Sequence, residues 1–237
     1  MIRCITFDLD DTLWACAPVI ERAERASFDW LAEHYPRIAE RYGLETLLKK
    51  RQGFFLQHPD LHHDITRLRK RWLARLSEEF GYGLDLVEPA FEVFWQERNR
   101  VELFDDVRDT LDAVQGIYRL GAITNGNADV HYIGIGHYFD FVITAAEAGA
   151  GKPDKSIFEA ALKAAGAEAG EVVHVGDDPI RDIGGAQAVG MKTIWVNVDD
   201  EDWGEGRSPD GEIRVLKELP SLLSRWSENE CGDAGAS

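Results

Sequence analysis

A short apolar run, Cys4 to Phe7, ends in Asp8-Leu9-Asp10-Asp11-Thr12, and this abrupt passage from core-forming to ionisable residues constrains the chain more than any other stretch. Strand side chains alternate faces with period two, so Asp8 and Asp10 are predicted to project to one side where the strand ends. Neighbouring carboxylates repel, which raises the pKa of one of them unless a cation intervenes. A divalent metal or a nucleophile–acid pair accounts for such a cluster. An acidic loop after a strand is the plainer alternative, and the stretch alone does not choose.

After Leu13 the pattern is helical through residue 100. Ile20, Ala23, Ser27, Phe28 and Leu31 share one face of a helix that starts at Pro18 and ends near Pro36, and a second helix is predicted over 37–50. A third starts at Asp64, carries Ile65, Leu68, Trp72, Leu76 and Phe80 at helical spacing, and stops at Gly81. A fourth, from Leu86 or Pro89 towards Arg100, places Phe91, Phe94 and Trp95 inward. From Val101 helices and strands alternate. Helices are predicted over 105–115, 128–135, 153–165 and 179–189, and strands over 118–124, 141–144, 171–175 and 193–196. The stretch 199–211 reads as an acidic loop, 213–226 as a last small element, and 227–237 as a disordered tail. Short apolar strands alternating with helices predict an α/β fold with a Rossmann-like parallel sheet covered on both faces. The domain reading is a core of 1–14 and 101–226 with a four-helix-bundle cap, 15–100, inserted after the first strand.

Ligands of parallel α/β sheets sit beyond the carboxyl ends of the strands. At those ends the sequence places Asp8-Leu9-Asp10, Thr124-Asn125-Gly126, Gly151-Lys152-Pro153 and Gly176-Asp177-Asp178. Each has a bland reading. Thr124-Asn125-Gly126 makes a good turn, and Asp178 makes a good N-cap. Yet the same hydroxyl, amide and backbone N–H groups suit an oxyanion. If Pro153 is the first helical residue, Lys152 lies at the positive end of the helix dipole, where a cation needs an anion to compensate it. Asp177, Asp178 and Asp182 face another acidic strand end, and oxygen-only ligands favour Mg²⁺ over Zn²⁺. His58, His62 and His63 crowd one region, but Pro59 interrupts any four-residue spacing that a metal site would need. Arg67, Arg71 and Arg75 form a stripe whose default reading is a solvated face, with Arg67 a candidate for reaching a substrate.

A net charge of -17 excludes a nucleic-acid groove or an anionic membrane surface as the natural partner. It also means that a phosphorylated ligand would need a metal or a few placed cations. No apolar run approaches the ~18 residues needed to span a bilayer, no signal peptide precedes the first strand, and Cys4, Cys16 and Cys231 form no framework. The expectation is a soluble cytoplasmic protein.

Taken in order, Asp8-Leu9-Asp10-Asp11-Thr12, Thr124-Asn125, Lys152-Pro153 and Gly176-Asp177-Asp178 with Asp182 resemble the haloacid dehalogenase-like superfamily of phosphohydrolases. The helical segment resembles the cap of the subgroup that carries it after the first strand. The stretches 122–128 and 63–69 look like the branch acting on flavin mononucleotide and on 5-amino-6-(5-phospho-D-ribitylamino)uracil. The resemblance implies that Asp8 is the nucleophile that forms an aspartyl phosphate, and that Asp10 is the acid and then the base. It implies Mg²⁺ on Asp8, the Asp10 main-chain carbonyl and Asp177, and phosphate binding by Thr124, the Asn125 backbone and Lys152. Asp178 and Asp182 would orient metal-bound waters or Lys152, and His63 and Arg67 are candidate contacts from the cap. The rivals are a phosphomutase, a haloacid dehalogenase, which needs neither Asp10 nor a metal, and a receiver-like signalling domain, which would be shorter and lack the helical insertion.

Overall fold

The computed structural model describes residues 1–204 and 206–233. In chain order the elements are β1 (Cys4–Phe7), α1 (Cys16–His34), α2 (Pro36–Arg41), α3 (Leu44–Leu56), α4 (Ile65–Glu79), α5 (Val87–Arg98) and α6 (Val107–Val114). Then come β2 (Arg119–Thr124), α7 (Val130–Ile133), β3 (Phe141–Thr144), α8 (Ala145–Ala148), α9 (Lys155–Ala165) and β4 (Val172–Gly176). A wide helical turn (Pro179–Gly184) leads into α10 (Gly185–Ala188), followed by β5 (Lys192–Val196), β6 (Gly211–Ile213) and α11 (Leu219–Asp233). Internal packing divides the chain into two units. One joins Met1–Ala15, Glu102–Gly126 and Gly134–Ser237, and the other joins Cys16–Val101 with Asn127–Ile133.

The first unit is built on a sheet with strand order β3-β2-β1-β4-β5-β6, every neighbouring pair parallel. Successive strands step outward from β1 to β3 on one side and from β4 to β6 on the other. The order therefore reverses beside β1, which is where open α/β sheets place their ligands. Register decides what meets there. Phe7 lies opposite both Ala122 and Val175, so Asp8, Asn125 and Asp177 follow strands that end close to one level. The strands β1 and β4 are buried along their whole length, which fits a sheet covered on both faces. Phe158 and Ile157 of α9 pack with Ile123, Val172 and Ala186 beneath one face.

The strand β6 has no counterpart among the predicted elements. Three residues are too few to show periodicity, and Gly211 is placed by pairing with Ile194 and by the closeness of Leu222 and Trp226. The tail expectation is corrected in part: 227–233 continue α11, with the Ser227 hydroxyl donating to the Leu223 carbonyl at 3.2 Å. A helix anchored by buried Leu219, Leu222 and Leu223 extends without a new nucleation cost. Residues 234–237 lie outside the described residues.

In the second unit the stretch 37–50, predicted as one helix, is two. Tyr42 and Gly43 are extended, and the break lets Ile38 of α2 and Leu47 of α3 both face the core. That core contains Leu31, Trp72, Leu76, Leu86, Phe91 and Phe94. The stop of α4 at Gly81, in the left-handed region, and the cap by Asp64 agree with the sequence reading. Arg71 and Arg75 are exposed, as a solvated stripe should be. Arg69 on the same helix is buried, stacked 3.4 Å from the Phe94 ring centroid and donating to Glu24 at 2.8 Å. Glu24 also pairs with Arg51, and burial lowers both arginines to about 9. His58 Nδ1 lies 2.8 Å from the Phe54 carbonyl and His62 Nε2 2.8 Å from that of Phe55, so each spends one ring nitrogen on backbone. No helix among the described residues is long and apolar enough to cross a membrane.

Phe158 is fully buried between the sheet and α10. Phe158→Ala should lower unfolding free energy by about 3–5 kcal/mol, as ring-sized cavities do. Urea denaturation followed by circular dichroism measures it, and a loss under about 1 kcal/mol would mean that the site collapses around the gap.

Candidate active site

The strand β1 stops at Phe7, one residue before the acids begin. Beyond it the backbone turns rather than extending. The Leu13 N–H donates to the Leu9 carbonyl at 2.8 Å, the Asp11 N–H donates to the Trp14 carbonyl at 2.7 Å, and Asp11 takes φ +62°. Aspartate is among the residues that tolerate this left-handed region. The period-two argument therefore stops at Phe7, and a turn rather than strand alternation places Asp10. Asp8 points to Lys152, whereas Asp10 Oδ1 accepts the Trp14 indole N–H at 2.9 Å.

The centre of the site is Lys152. Its ammonium, 3% exposed, donates to Asp8 Oδ1 and to Asp182 Oδ1, each at 2.6 Å. The helix-dipole argument for its position is corrected. Pro153 does not open the helix; Asp154 caps α9, accepting from the Ser156 N–H, and α9 begins at Lys155. What aims Lys152 inward is Asn125. The Asn125 side-chain amide donates to the Lys152 carbonyl at 3.0 Å, and its Oδ1 accepts the Lys152 N–H at 2.7 Å. Gly151 makes room for this clamp, since a Cβ there would lie 2.9 Å from Asn125 Oδ1. Thr124, 1% exposed at the end of β2, accepts the Gly126 N–H at 3.0 Å, which shapes the turn that offers backbone N–H groups beyond the strand.

On the other side of β1, Asp177 follows β4 and accepts the Thr12 hydroxyl at 3.0 Å. Asp178 is the N-cap of the following turn, accepting from the Ile180 and Arg181 N–H groups, so its carboxylate serves the backbone rather than Lys152. Asp182 is the acid that positions Lys152, and its Oδ2 accepts the Asp178 N–H at 3.0 Å. Gly176 is required by this arrangement: a Cβ there would lie 2.4 Å from Asp182 Cγ. His174 of β4 is missed by sequence reasoning, since one histidine inside an apolar strand gives no signal. Buried completely, it lies with Nε2 3.2 Å from Asp182 Oδ1 and Nδ1 3.0 Å from the Thr6 hydroxyl. His63 is half-buried and Arg67 exposed, both in the helical unit, where Arg67 donates its backbone N–H to the Asp64 cap.

Charge in the site is unevenly held. Burial opposes the Lys152 ammonium, yet Asp8 and Asp182 hold it protonated far above the ordinary range. Burial likewise opposes the Asp182 anion, and Lys152 and His174 overcome it, keeping that carboxylate well below its usual value. For Asp8 burial prevails over the pull of Lys152, and Asp182 and Asp177 add to the upward shift. Asp177 is raised to about 6 by burial and by the charge of Asp182. One lysine thus serves more carboxylates than it can neutralise. The carboxylates of Asp8, Asp177 and Asp182 offer oxygens within 4.8 Å of one another, an oxygen-only set that fits a hard divalent cation. Both oxygens of Asp182 are already bonded, to Lys152 and to the Asp178 backbone, whereas Asp8 and Asp177 are bonded through Oδ1, to Lys152 and to the Thr12 hydroxyl. Those two are the carboxylates better placed to hold a cation, alongside the expected Asp10 carbonyl.

A model of the haloacid dehalogenase-like hydrolases matches residues 2–190. The chain is 33% identical over 230 residues to 5-amino-6-(5-phospho-D-ribitylamino)uracil phosphatase YigB of Escherichia coli (strain K12), covering 94% of this chain and 96% of that one. Its fold is similar to the crystal structure of 2-haloacid dehalogenase from Pseudomonas syringae pv. Tomato DC3000, with TM-score 0.90 and 44% identity over 95% of this chain and all of that one (100%). It also resembles a phosphatase from Thermococcus onnurineus, with TM-score 0.66 and 25% identity over 94% of this chain and 98% of that one.

The buried imidazole gives the site a pH signature. Burial lowers His174 below its ordinary 6.5, against the opposing pull of Asp182. Above that value the ring is neutral in both states. Below it the unfolded chain takes a proton that the folded ring refuses, so stability is lost as pH falls. The upward shifts of Asp8 and Asp177 act in the opposite sense but are common to wild type and a His174 variant. Between about pH 7 and about pH 5, wild type should lose stability relative to His174→Gln by at most ~1.4 kcal/mol per pH unit. Urea unfolding in EDTA checks this, and a pH-independent difference would mean that the folded ring accepts the proton.

Proposed function

The chain belongs to the haloacid dehalogenase-like hydrolase family, and we propose that it is a Mg²⁺-dependent phosphomonoester hydrolase acting on a small phosphorylated metabolite through an aspartyl-phosphate intermediate. The observation that carries this reading is the buried Lys152 ammonium shared by Asp8 and Asp182, with Asp177 close by. A nucleophilic carboxylate must meet a dianionic phosphate, and the surrounding cations have to offset both.

In this reading an Asp8 oxygen attacks phosphorus as the ester P–O bond breaks, and Asp10 gives its proton to the departing oxygen. Asp10, now a carboxylate, takes a proton from the water that attacks the phosphoryl group and frees Asp8. Thr124 and the Asn125 backbone hold phosphoryl oxygens, and Lys152, steadied by Asp182, balances their charge. Mg²⁺ on the Asp8 and Asp177 carboxylates and the Asp10 main-chain carbonyl would supply further positive charge and favour ionised Asp8.

The similarity to YigB supports 5-amino-6-(5-phospho-D-ribitylamino)uracil as substrate. Flavin mononucleotide rests on the sequence resemblance of 122–128 and 63–69, with His63 and Arg67 as candidate contacts from the helical unit. The free thiols of Cys4 and Cys16 accord with a cytoplasmic setting. Transfer of the phosphoryl group to a second hydroxyl, as in a mutase, would use the same residues and differ only in excluding water. Haloacid dehalogenation has one specific support, the 44% identity to the Pseudomonas syringae protein. It would use Asp8 as nucleophile but gives no task to Asp10 or to Asp177 as a metal ligand, and for that reason we favour the phosphatase.

Asp8→Asn should abolish phosphate release while leaving the circular dichroism spectrum unchanged; substantial retained turnover would remove Asp8 from the nucleophile's role. Activity should vanish after EDTA treatment and gel filtration and return with Mg²⁺. A phosphate-release screen should cover flavin mononucleotide, the ribitylaminouracil phosphate, nucleoside monophosphates and sugar phosphates, with chloride release from 2-chloropropionate measured alongside. Preference for a sugar phosphate would retire the flavin branch, and halide release without phosphate release would reverse the reading.

A further inference from the structure

The turn after β1 is held by one residue at several points. Trp14 is fully buried. Its backbone carbonyl accepts the Asp11 N–H at 2.7 Å, it bridges in parallel to Asp10 and antiparallel to Leu103, and the next contact along that seam is the Phe104 N–H donating to the Leu13 carbonyl at 3.0 Å. Its indole N–H donates to Asp10 Oδ1 at 2.9 Å. An indole has one donor and no acceptor, and a buried one is aimed by its packing rather than by solvent. With Oδ1 on that donor, rotation of the Asp10 carboxyl group is restrained, and with it the direction from which Oδ2 can give or take a proton.

We propose that Trp14 is the positioning residue for the acid–base carboxylate Asp10, acting through the indole N–H···Oδ1 bond. The proposal rests on the phosphomonoesterase reading. A merely structural Trp14 would fill space and cap the turn, and its loss would weaken all substrates alike. A positioning Trp14 acts on proton transfer, so its loss depends on how much the leaving oxygen needs a proton. A nitrophenolate departs without one, whereas an alkoxide does not. The parameter kcat/KM reports steps only up to departure of the alcohol. The later hydrolysis of the aspartyl phosphate, in which Asp10 acts as base for every substrate, does not enter it.

The test compares p-nitrophenyl phosphate with an alkyl phosphate, glycerol 3-phosphate, in wild type, Trp14→Phe and a chain carrying benzothienylalanine at position 14. That last residue keeps the bicyclic shape and lacks only the donor, so it remains informative if the phenylalanine variant folds poorly. For the alkyl ester kcat/KM should fall at least ~10-fold in both variants, a part of the 10²–10⁴ that a placed acid contributes, while the aryl ester should change less than about threefold. The kcat for the aryl ester should fall as well, because Asp10 is the base in the shared second step. Equal losses of kcat/KM on both esters, or no loss on either with the benzothienyl residue, overturn the inference alone. A wild-type protein inert to both esters and to the metabolite screen overturns the hydrolase reading, and this inference with it.

Discussion

Much of the first unit's architecture at the sheet edge depends on one buried ammonium with two carboxylates at 2.6 Å. Burying a charge is costly unless it is paired and fully bonded, and here each partner draws on a different element. Asp8 follows the central strand, Asp182 sits in the turn beyond β4, and Lys152 is held by its own backbone through Asn125 after β2. The ion triad therefore fastens three strand ends at the place where the sheet order reverses. Removing Lys152 would leave buried carboxylates without their cation, and Gly176 and Gly151 leave the space that lets Asp182 and Asn125 close around it.

The same pairing leaves the site under-neutralised. Lys152 and His174 settle Asp182, but burial keeps Asp8 and Asp177 high. Such residual repulsion is costly in a merely structural cluster and useful in one that receives a cation and a phosphate ester. The distinct tasks of neighbouring acids follow from their separate surroundings: Asp8 against an ammonium, Asp10 against a neutral indole, Asp177 against a hydroxyl, Asp178 against backbone N–H groups. Carboxylates of one chemistry acquire different roles through their partners.

The helical unit follows a different logic. Its core is apolar, yet Glu24, Arg51 and Arg69 are carried into it as a group, with Arg69 stacked on Phe94. Periodicity assigns Arg67, Arg71 and Arg75 of α4 to the solvent side but puts Arg69 on the apolar face with Ile65, Trp72 and Leu76, where residue type alone would not place a charge. A guanidinium that can stack on a ring and share a carboxylate escapes that rule.

The sequence by itself determined the parallel α/β plan and the inserted helices, because these are local signals: an apolar run that breaks into acids, a glycine that ends a helix, an aspartate that caps one. It singled out Asp8, Lys152, Asp177 and Asp182 by the order of four short motifs, although the helix-dipole reason for Lys152 failed. Only the tertiary structure decided which acid meets which partner. The Asn125 clamp on Lys152 joins residues 27 apart, the Asp8–Lys152 pair joins residues 144 apart, and the His174 bond to Thr6 spans 168. No periodicity encodes contacts across strands distant in sequence. Trp14 is the instructive exception. It stands only four residues from Asp10, yet strand alternation extended past Phe7 hides it. The turn that brings the indole back is held by its own backbone bonds and by Leu103 and Phe104, about ninety residues on.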